Sequence, residues 1–426
     1  MFFSLLRKEI SQQVISAKFA VMTLLVVILA LLSVVVMVRD YQLRTDNYNI
    51  LAPQEDDTVA IKRPAPMSVL VKGLDERMGR SITVWTIGVL EVGTSQSDAN
   101  RLFALFREID MEFVTQVIMS LAAIIFSFDM ISREKRRGTL KLMLANGVGR
   151  AKVLLAKLLG ALVVVAIPAL VALLIGLLYM QFTVPEAFSG DFYSRMLVFA
   201  GLILLYVLAF ISIGLFISSL THRPAVSLVF AMLVWALLVF VVPNAAFLVG
   251  RNIAGGETLE QQEVKVRHIW TSDVFKALNN LVPRRDFRER AMDTAGKLGS
   301  EYRHYINLAE RRIGWVRLLS FFSPAGPFSF ASWAAAGTGP EDSLEFKRDV
   351  LRYQSIAIED AIKLLQIARG QDIGEPDFKA RLFVEQRRPL TDALIEEVFP
   401  AAGALLFMAL VFFIATFTAF IRYDVR

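Results

Sequence analysis

Six runs of roughly 20 apolar residues stand out along the chain, each long enough to cross about 30 Å of hydrocarbon. They are Phe19–Val38, Phe113–Ile131, Leu158–Met180, Met196–Leu220, Ala225–Val249 and Phe399–Ile421. Pro168 and Pro243 fall inside two of them, where neighbouring helices can satisfy the carbonyls a proline frees. Asp129, at the end of the second run, is the one carboxylate inside these bounds, and Arg133 four residues on is its expected i, i+4 partner. The pattern predicts an all-α polytopic membrane protein with six transmembrane helices. The first run is longer than a signal-peptide core and no small-residue cleavage site follows it, so it reads as an uncleaved anchor.

Between the runs the pattern changes. Residues 1–18 alternate Phe2, Phe3, Leu5, Leu6, Ile10 and Val14 with charged and amide side chains, which predicts an amphipathic helix in the membrane interface. In the segment 39–112, short β-like runs at Ser68–Val71 and Ser81–Val89 predict a small sheet or hairpin. The segment 250–398 carries apolar residues at helical spacing over Glu257–Val282, Arg284–Leu319 and Glu341–Arg369, predicting long helices outside the bilayer. Between two of these lies an almost uncharged stretch rich in Pro and Gly, Phe321–Pro340, where no continuous helix is expected. Its Phe321, Phe322, Pro324, Phe328, Phe330 and Trp333 would form an exposed apolar patch, to be covered by lipid or by another subunit.

Charge then sets the orientation. The chain has 426 residues, 55% hydrophobic and 20% charged, with a net charge of +6. With the N-terminus inside, the segments Met1–Lys18, Asp129–Lys157, Thr221–Pro224 and Arg422–Arg426 together carry +10 and the outer segments −4. Lys and Arg mark the cytoplasmic side. The basic character therefore follows topology, and no nucleic-acid surface is implied. The expected placement is the inner (plasma) membrane of a bacterium, with both termini in the cytoplasm.

The chemistry is sparse. There is no cysteine, which excludes disulfides, Cys-ligated zinc and thiol catalysis. His222, His268 and His304 lie far apart in sequence, a poor start for a metal site. No G-x-x-x-x-G-K-[ST] phosphate loop occurs, nor H-E-x-x-H, nor G-x-S-x-G, so neither a usual ATP site nor a recognisable catalytic centre is expected.

The most informative stretch is the inner loop 132–157. Gly138 breaks the helix that descends from the second span, Thr139 is placed to cap a short helix Leu140–Asn146, and Gly147 ends it. Leu140, Met143 and Leu144 fall at i, i+3 and i+4, an apolar face on a piece too short to bury itself, so it should pack on something else in the cytoplasm. A basic loop resting on lipid headgroups would explain the charges, but not a capped apolar helix.

Here the chain resembles a family. Glu134, Gly138, Thr139, Leu140, Leu142, Met143, Leu144 and Arg150, followed by Lys157, resemble the E-x-x-x-G-T-L-x-x-L-L-(x)-P-V-x-R…GK signature of ABC-2 type permeases, the membrane subunits of ABC exporters. Asn146-Gly147 stands where many members have proline, and Ala156 replaces the usual Gly before the lysine. The resemblance implies that the short helix is a coupling helix seated on a separate ATPase subunit. It further implies a homodimer driven by two ATPase copies, with ATP and Mg bound by that partner and no cofactor in this chain. Ser323-Pro324-Ala325, Ala336-Gly337-Thr338 and Phe346 resemble the S-P-A…A-G-T…F pattern of a subgroup with large extracytoplasmic inserts. The alternative reading is a membrane-anchored scaffold or receptor whose outer helices bind an extracytoplasmic protein. The short inner helix separates the two, since an anchor has no need of it.

Overall fold

The computed structural model describes residues 2–51, 59–74, 81–84, 90–93, 109–145, 149–188, 190–256, 261, 264, 265, 268, 269, 284–367 and 387–422. Among these, six helices are long and apolar enough to cross a membrane. They are α2 (Ala17–Leu51), α3 (Met111–Arg137, with a turn at 128–131), α5 (Arg150–Thr183), α6 (Phe192–Leu220), α7 (Pro224–Ala254) and α11 (Leu390–Ile421). Several outrun their apolar cores, because a helix whose backbone is already bonded continues into water until a Pro, a Gly or a cap stops it. Before them lies α1 (Phe2–Val14), amphipathic as its pattern predicts, and between α3 and α5 lies the seven-residue α4 (Thr139–Ala145).

The helix α6 sits at the centre of the bundle, packed against α3, α5 and α11. Its contact with α3 is close enough to require glycine: a Cβ on Gly214 would lie 1.9 Å from Ser127 Oγ.

The segment 250–398 supplies α8 (Arg284–Ser320) and α10 (Pro340–Ile367), the two long helices expected there. The third expected helix, Glu257–Val282, lies almost wholly outside the described residues. Between α8 and α10 the structure departs from expectation, since Ala325–Ala336 forms a helix, α9. Pro327 falls in its first turn, where the missing N–H belongs to the groups a helix leaves unpaired anyway. Nor is this stretch an exposed patch. Pro324, Phe328 and Phe330 are buried, Phe321 and Trp333 are partly buried, and only Phe322, 77% exposed, faces outward. The aromatic residues are core because α9 dips between the spans. The Phe328 ring stacks on Tyr206 at 4.4 Å between centroids, and Tyr206 is the middle residue of α6. For all but Phe322, the cover expected from lipid or another subunit is supplied largely by the chain itself.

The descent of α9 is matched by irregular backbone in its neighbours. Wide π turns occupy Val114–Met119 in α3, Leu237–Val241 in α7 and Leu394–Val398 in α11. Such a turn disrupts the i to i+4 ladder and frees carbonyls. Tyr206 and Ser120 donate hydroxyls to the Gln116 carbonyl at 2.8 and 2.5 Å, and Ser323 donates to the Leu238 carbonyl at 2.5 Å. Ser323 also accepts from the Ala325 amide at 3.1 Å, which starts α9. Gly337, with φ +71°, ends it, and Thr338 then donates to the Val71 carbonyl at 3.1 Å.

Val59–Ile61 (β1), Ser81–Val84 (β2) and Leu90–Gly93 (β3) form a three-stranded antiparallel sheet in the order β1-β2-β3, with Ile82 opposite Ala60 and Val92. The predicted sheet is present, and the run at 81 is one of its strands. The run Ser68–Val71 is instead a 3₁₀ turn that begins at Pro66, whose fixed φ suits a helical first turn.

Candidate functional site

The face that gathers the lysines and arginines of the inner loop is built from the ends of α3, α6 and α11 and the starts of α1 and α5. A turn at 128–131 interrupts α3, and α6 and α7 hold it in place. Ser218 Oγ accepts the amides of Ile131 and Ser132, both at 3.0 Å, and Ser227 donates to the Phe128 carbonyl at 2.5 Å. Asp129 pairs with Arg133 at 3.5 Å, as its spacing predicts, and also with Lys18 of α2 at 3.3 Å. The last turn of α3, Ser132–Arg137, then ends at Gly138, with φ +73° and ψ −4°. A side chain would be strained there, and the left-handed residue turns the chain sharply into α4.

Thr139 is the first residue of α4, with Gly138 in the position before it, so threonine does not stand outside the helix as its cap. Leu140 is fully buried in the main core, and Met143 packs against that core. Leu142 is 66% exposed. This corrects the expectation that Leu140 faces a partner, while Met143 stays partly exposed. A seven-residue helix beside an apolar bundle buries its stripe on the nearest apolar surface, and that surface is its own spans. The leucine on the opposite side is the one left in the open. The side chain of Leu144 and the residue Gly147 lie outside what is described.

Behind α4 stands a buried ion triad. Lys157 of α5, 1% exposed, places its Nζ 2.7 Å from Glu134 Oε1 and 3.1 Å from Glu9 Oε1. Glu134 belongs to the turn that leads into α4, and Glu9 is a buried residue of α1. One ammonium thus joins the interfacial helix, the third span and the root of the short helix. Arg150, the first residue of α5, reaches across to the end of α11, donating to the carbonyls of Phe420 at 3.3 Å and Ile421 at 2.5 Å. A basic side chain on the last carbonyls of a helix is a favourable cap.

A family model described as ABC-2 family transporter protein matches residues 3–425. The chain belongs to the ABC-2 transporter family. It is a permease, the non-catalytic membrane subunit of a transporter, and crosses the membrane several times. Membership carries with it partnership with an ABC ATPase. No curated protein matched the chain.

In this permease the sequence-predicted residues separate into two places. Glu134, Gly138, Thr139, Leu140, Leu142, Met143 and Arg150 lie together on the basic face, whereas Phe321 to Trp333 lie at the other end, all but Phe322 at least partly buried. Two carboxylates near that end were missed by the hydropathy pattern. Glu112, 2% exposed, accepts from Ser329 Oγ at 2.6 Å and from Trp333 Nε1 at 3.4 Å. Glu397, also buried, holds Arg388 at 2.5 Å and Arg317 at 3.2 Å. Both sit near the starts of spans that begin earlier than their apolar runs, Glu112 in the first turn of α3 and Glu397 in the wide turn of α11. Among the described residues no group of three His, Asp or Glu side chains is placed to hold a metal ion.

Proposed function

We propose that this permease is the translocating half of an ATP-driven exporter, working as a homodimer with two copies of an ATPase that grips the basic face through α4. The observation that carries the reading is Leu142. It is an exposed leucine on a seven-residue helix whose Leu140 is fully buried, held at a fixed angle by Gly138 and rooted on the Lys157 triad. A solvated loop gains nothing from presenting a leucine on a rigid mount, whereas a groove on a partner does.

Lysine and arginine are concentrated on this same face, which supports a cytoplasmic side for it, where ATP and Mg are available to the partner. Both termini belong on that side, and the bacterial inner membrane fits the arrangement. Export follows from the family resemblance together with the large folded segments at the opposite end. The exposed faces of the spans support the dimer. Along α7 and α11 the apolar residues Phe230, Leu233, Phe407 and Leu410 are exposed, so one protomer leaves broad apolar faces for a second copy or lipid. A closed two-fold pair is the common solution.

The test is co-expression of the permease with its ATPase, purification through a tag on the permease, and mass measurement of the intact complex. Two copies of each subunit are expected. A complex with a single permease chain that retains fully coupled ATP hydrolysis would contradict the proposal.

A further inference from the structure

Helix α8 runs antiparallel to the far end of α7, and three contacts fix their relative level. A Cβ on Gly256 would meet the Leu308 side chain at 2.6 Å, and one on Gly250 would meet the Val316 amide nitrogen at 2.9 Å. Further down, Ser323 donates to the Leu238 carbonyl. Leu238 lies near the middle of the apolar run 225–249, so the chain at the end of α8 reaches the depth of hydrocarbon. The exposed side of α8 changes character on the way down. Among the described residues, the side chains it exposes from Asp293 to Arg311 are all polar. Below Arg311 they are Trp315, 41% exposed, and Leu318, 58% exposed, with Phe322 in the turn beyond. The change falls at one level on three helices. On α7 the first charged residue past the apolar run is Arg251, next to the Gly250 that packs on Val316. On α11 the apolar run begins at Phe399, just after Glu397, and Glu397 pairs with Arg317 at 3.2 Å. Arg317 itself turns inward, to Glu397 and Glu341.

We infer that α8 from Trp315 onward is embedded in the leaflet remote from the basic face, and that lipid covers its Trp315, Leu318 and Phe322. Trp315 stands at the boundary, where an amphipathic ring suits the headgroup level, and the two purely apolar side chains follow toward the acyl chains. The five residues from Trp315 to Ser320 descend about 7.5 Å, and the turn after them goes deeper. That turn leaves no amide bare, as backbone in hydrocarbon requires. The N–H groups of Phe321, Phe322 and Ser323 reach the carbonyls of Leu318, Leu319 and Ser320 at 3.3, 3.4 and 3.1 Å. A second copy of the chain would also cover apolar side chains. It would have no reason to begin at the level where α7 and α11 turn from charged to apolar, whereas a bilayer boundary does. The inference is independent of the homodimer and of which face is cytoplasmic, since it names only the leaflet opposite the basic face.

The experiment uses the absence of native cysteine. Asn307→Cys, Trp315→Cys, Leu318→Cys and Phe322→Cys, all at exposed positions, are each spin-labelled in the full-length permease and reconstituted into lipid bilayers. Relaxation of each label is measured with molecular oxygen, which concentrates in hydrocarbon, and with a water-soluble nickel chelate, which does not enter it. The ratio of oxygen to nickel accessibility should rise in the order 307, 315, 318, 322, with nickel dominant at 307 and oxygen dominant at 318 and 322. Nickel access at 318 and 322 equal to that at 307 would place this face in water and overturn the inference. Protection of 318 and 322 from both reagents, with dipolar broadening between labels on two chains, would give the face to a second copy and overturn the assignment to lipid.

Discussion

The Lys157 ammonium lies 2.7 Å from the Glu134 carboxylate, and the lysine side chain is sealed from water. With Glu9 as the second acceptor, the triad fixes α1 and the root of α4 to the third span. Removing one partner of a buried ion pair costs about 3–5 kcal/mol, because the remaining charge stays buried and uncompensated. Lys157→Met strands two carboxylates and should lower the thermal stability of the detergent-solubilised permease by several degrees. Glu9→Gln keeps the closer pair and should cost clearly less. Equal melting temperatures for Lys157→Met and wild type would show that the triad holds nothing together.

A second prediction concerns α9. Phe328→Ala removes a fully buried ring that stacks on Tyr206, a change that costs about 3–5 kcal/mol in a core. Tyr206→Phe keeps the ring and loses the hydroxyl with its bond to the Gln116 carbonyl, about 1 kcal/mol. Thermal unfolding should rank them in that order. If Phe328→Ala proved as mild as Tyr206→Phe, α9 would not be the inserted core helix described above.

The third prediction uses pH. Burial pushes the Asp342 carboxyl up to about 6, against the pull of Lys62 and the Gly339 amide. A carboxyl with a raised folded pKa keeps its proton when the unfolded chain has already lost one. Its contribution is therefore most favourable in acid, declines as pH rises from about 4 to about 6, and is flat above. The cost of ionisation is on the order of 3 kcal/mol. Asp342→Asn mimics the neutral acid. The variant should melt above wild type at pH 7.5 and level with it near pH 4. A constant difference across that range would contradict the assignment.

The six spans were legible because a bilayer demands long uninterrupted apolar runs, and these are the strongest periodic signal a chain can carry. Gly138 was legible as a break for a similarly local reason: only glycine enters the left-handed region at no cost. What the pattern concealed is relational. Leu140 and Leu142 are the same residue type two positions apart, and nothing local says that the first turns in and the second turns out. Phe328 lies among prolines and glycines that argue against a helix, and its burial depends on a cleft made by α3, α6 and α11, far away in sequence. Glu112 and Glu397 lay just outside the apolar windows, although their helices had already begun. The Lys157 triad joins positions 9, 134 and 157, a relation that only the packing of α1 on α5 creates.

The sidedness can be read directly, since the native chain has no cysteine to interfere. Ser300→Cys, exposed on α8, should react with an impermeant thiol reagent in intact cells. Lys152→Cys, exposed at the start of α5, should react only once the membrane has been opened. The reverse pattern would invert the proposed topology.

The central claim is that α4 presents Leu142 to an ATPase while Leu140 holds α4 to the permease. The direct measurement is co-purification of the ATPase with tagged Leu142→Asp, read beside the melting temperature of the permease alone. An exposed leucine contributes little to the protomer, so Leu142→Asp should melt with wild type. In a partner's groove it forfeits about 1.5–3 kcal/mol of apolar burial and adds an unpaired carboxylate, and the ATPase should be lost. Leu140→Asp should behave differently, lowering the permease's own stability. Retention of the ATPase by Leu142→Asp at the wild-type level would contradict the account.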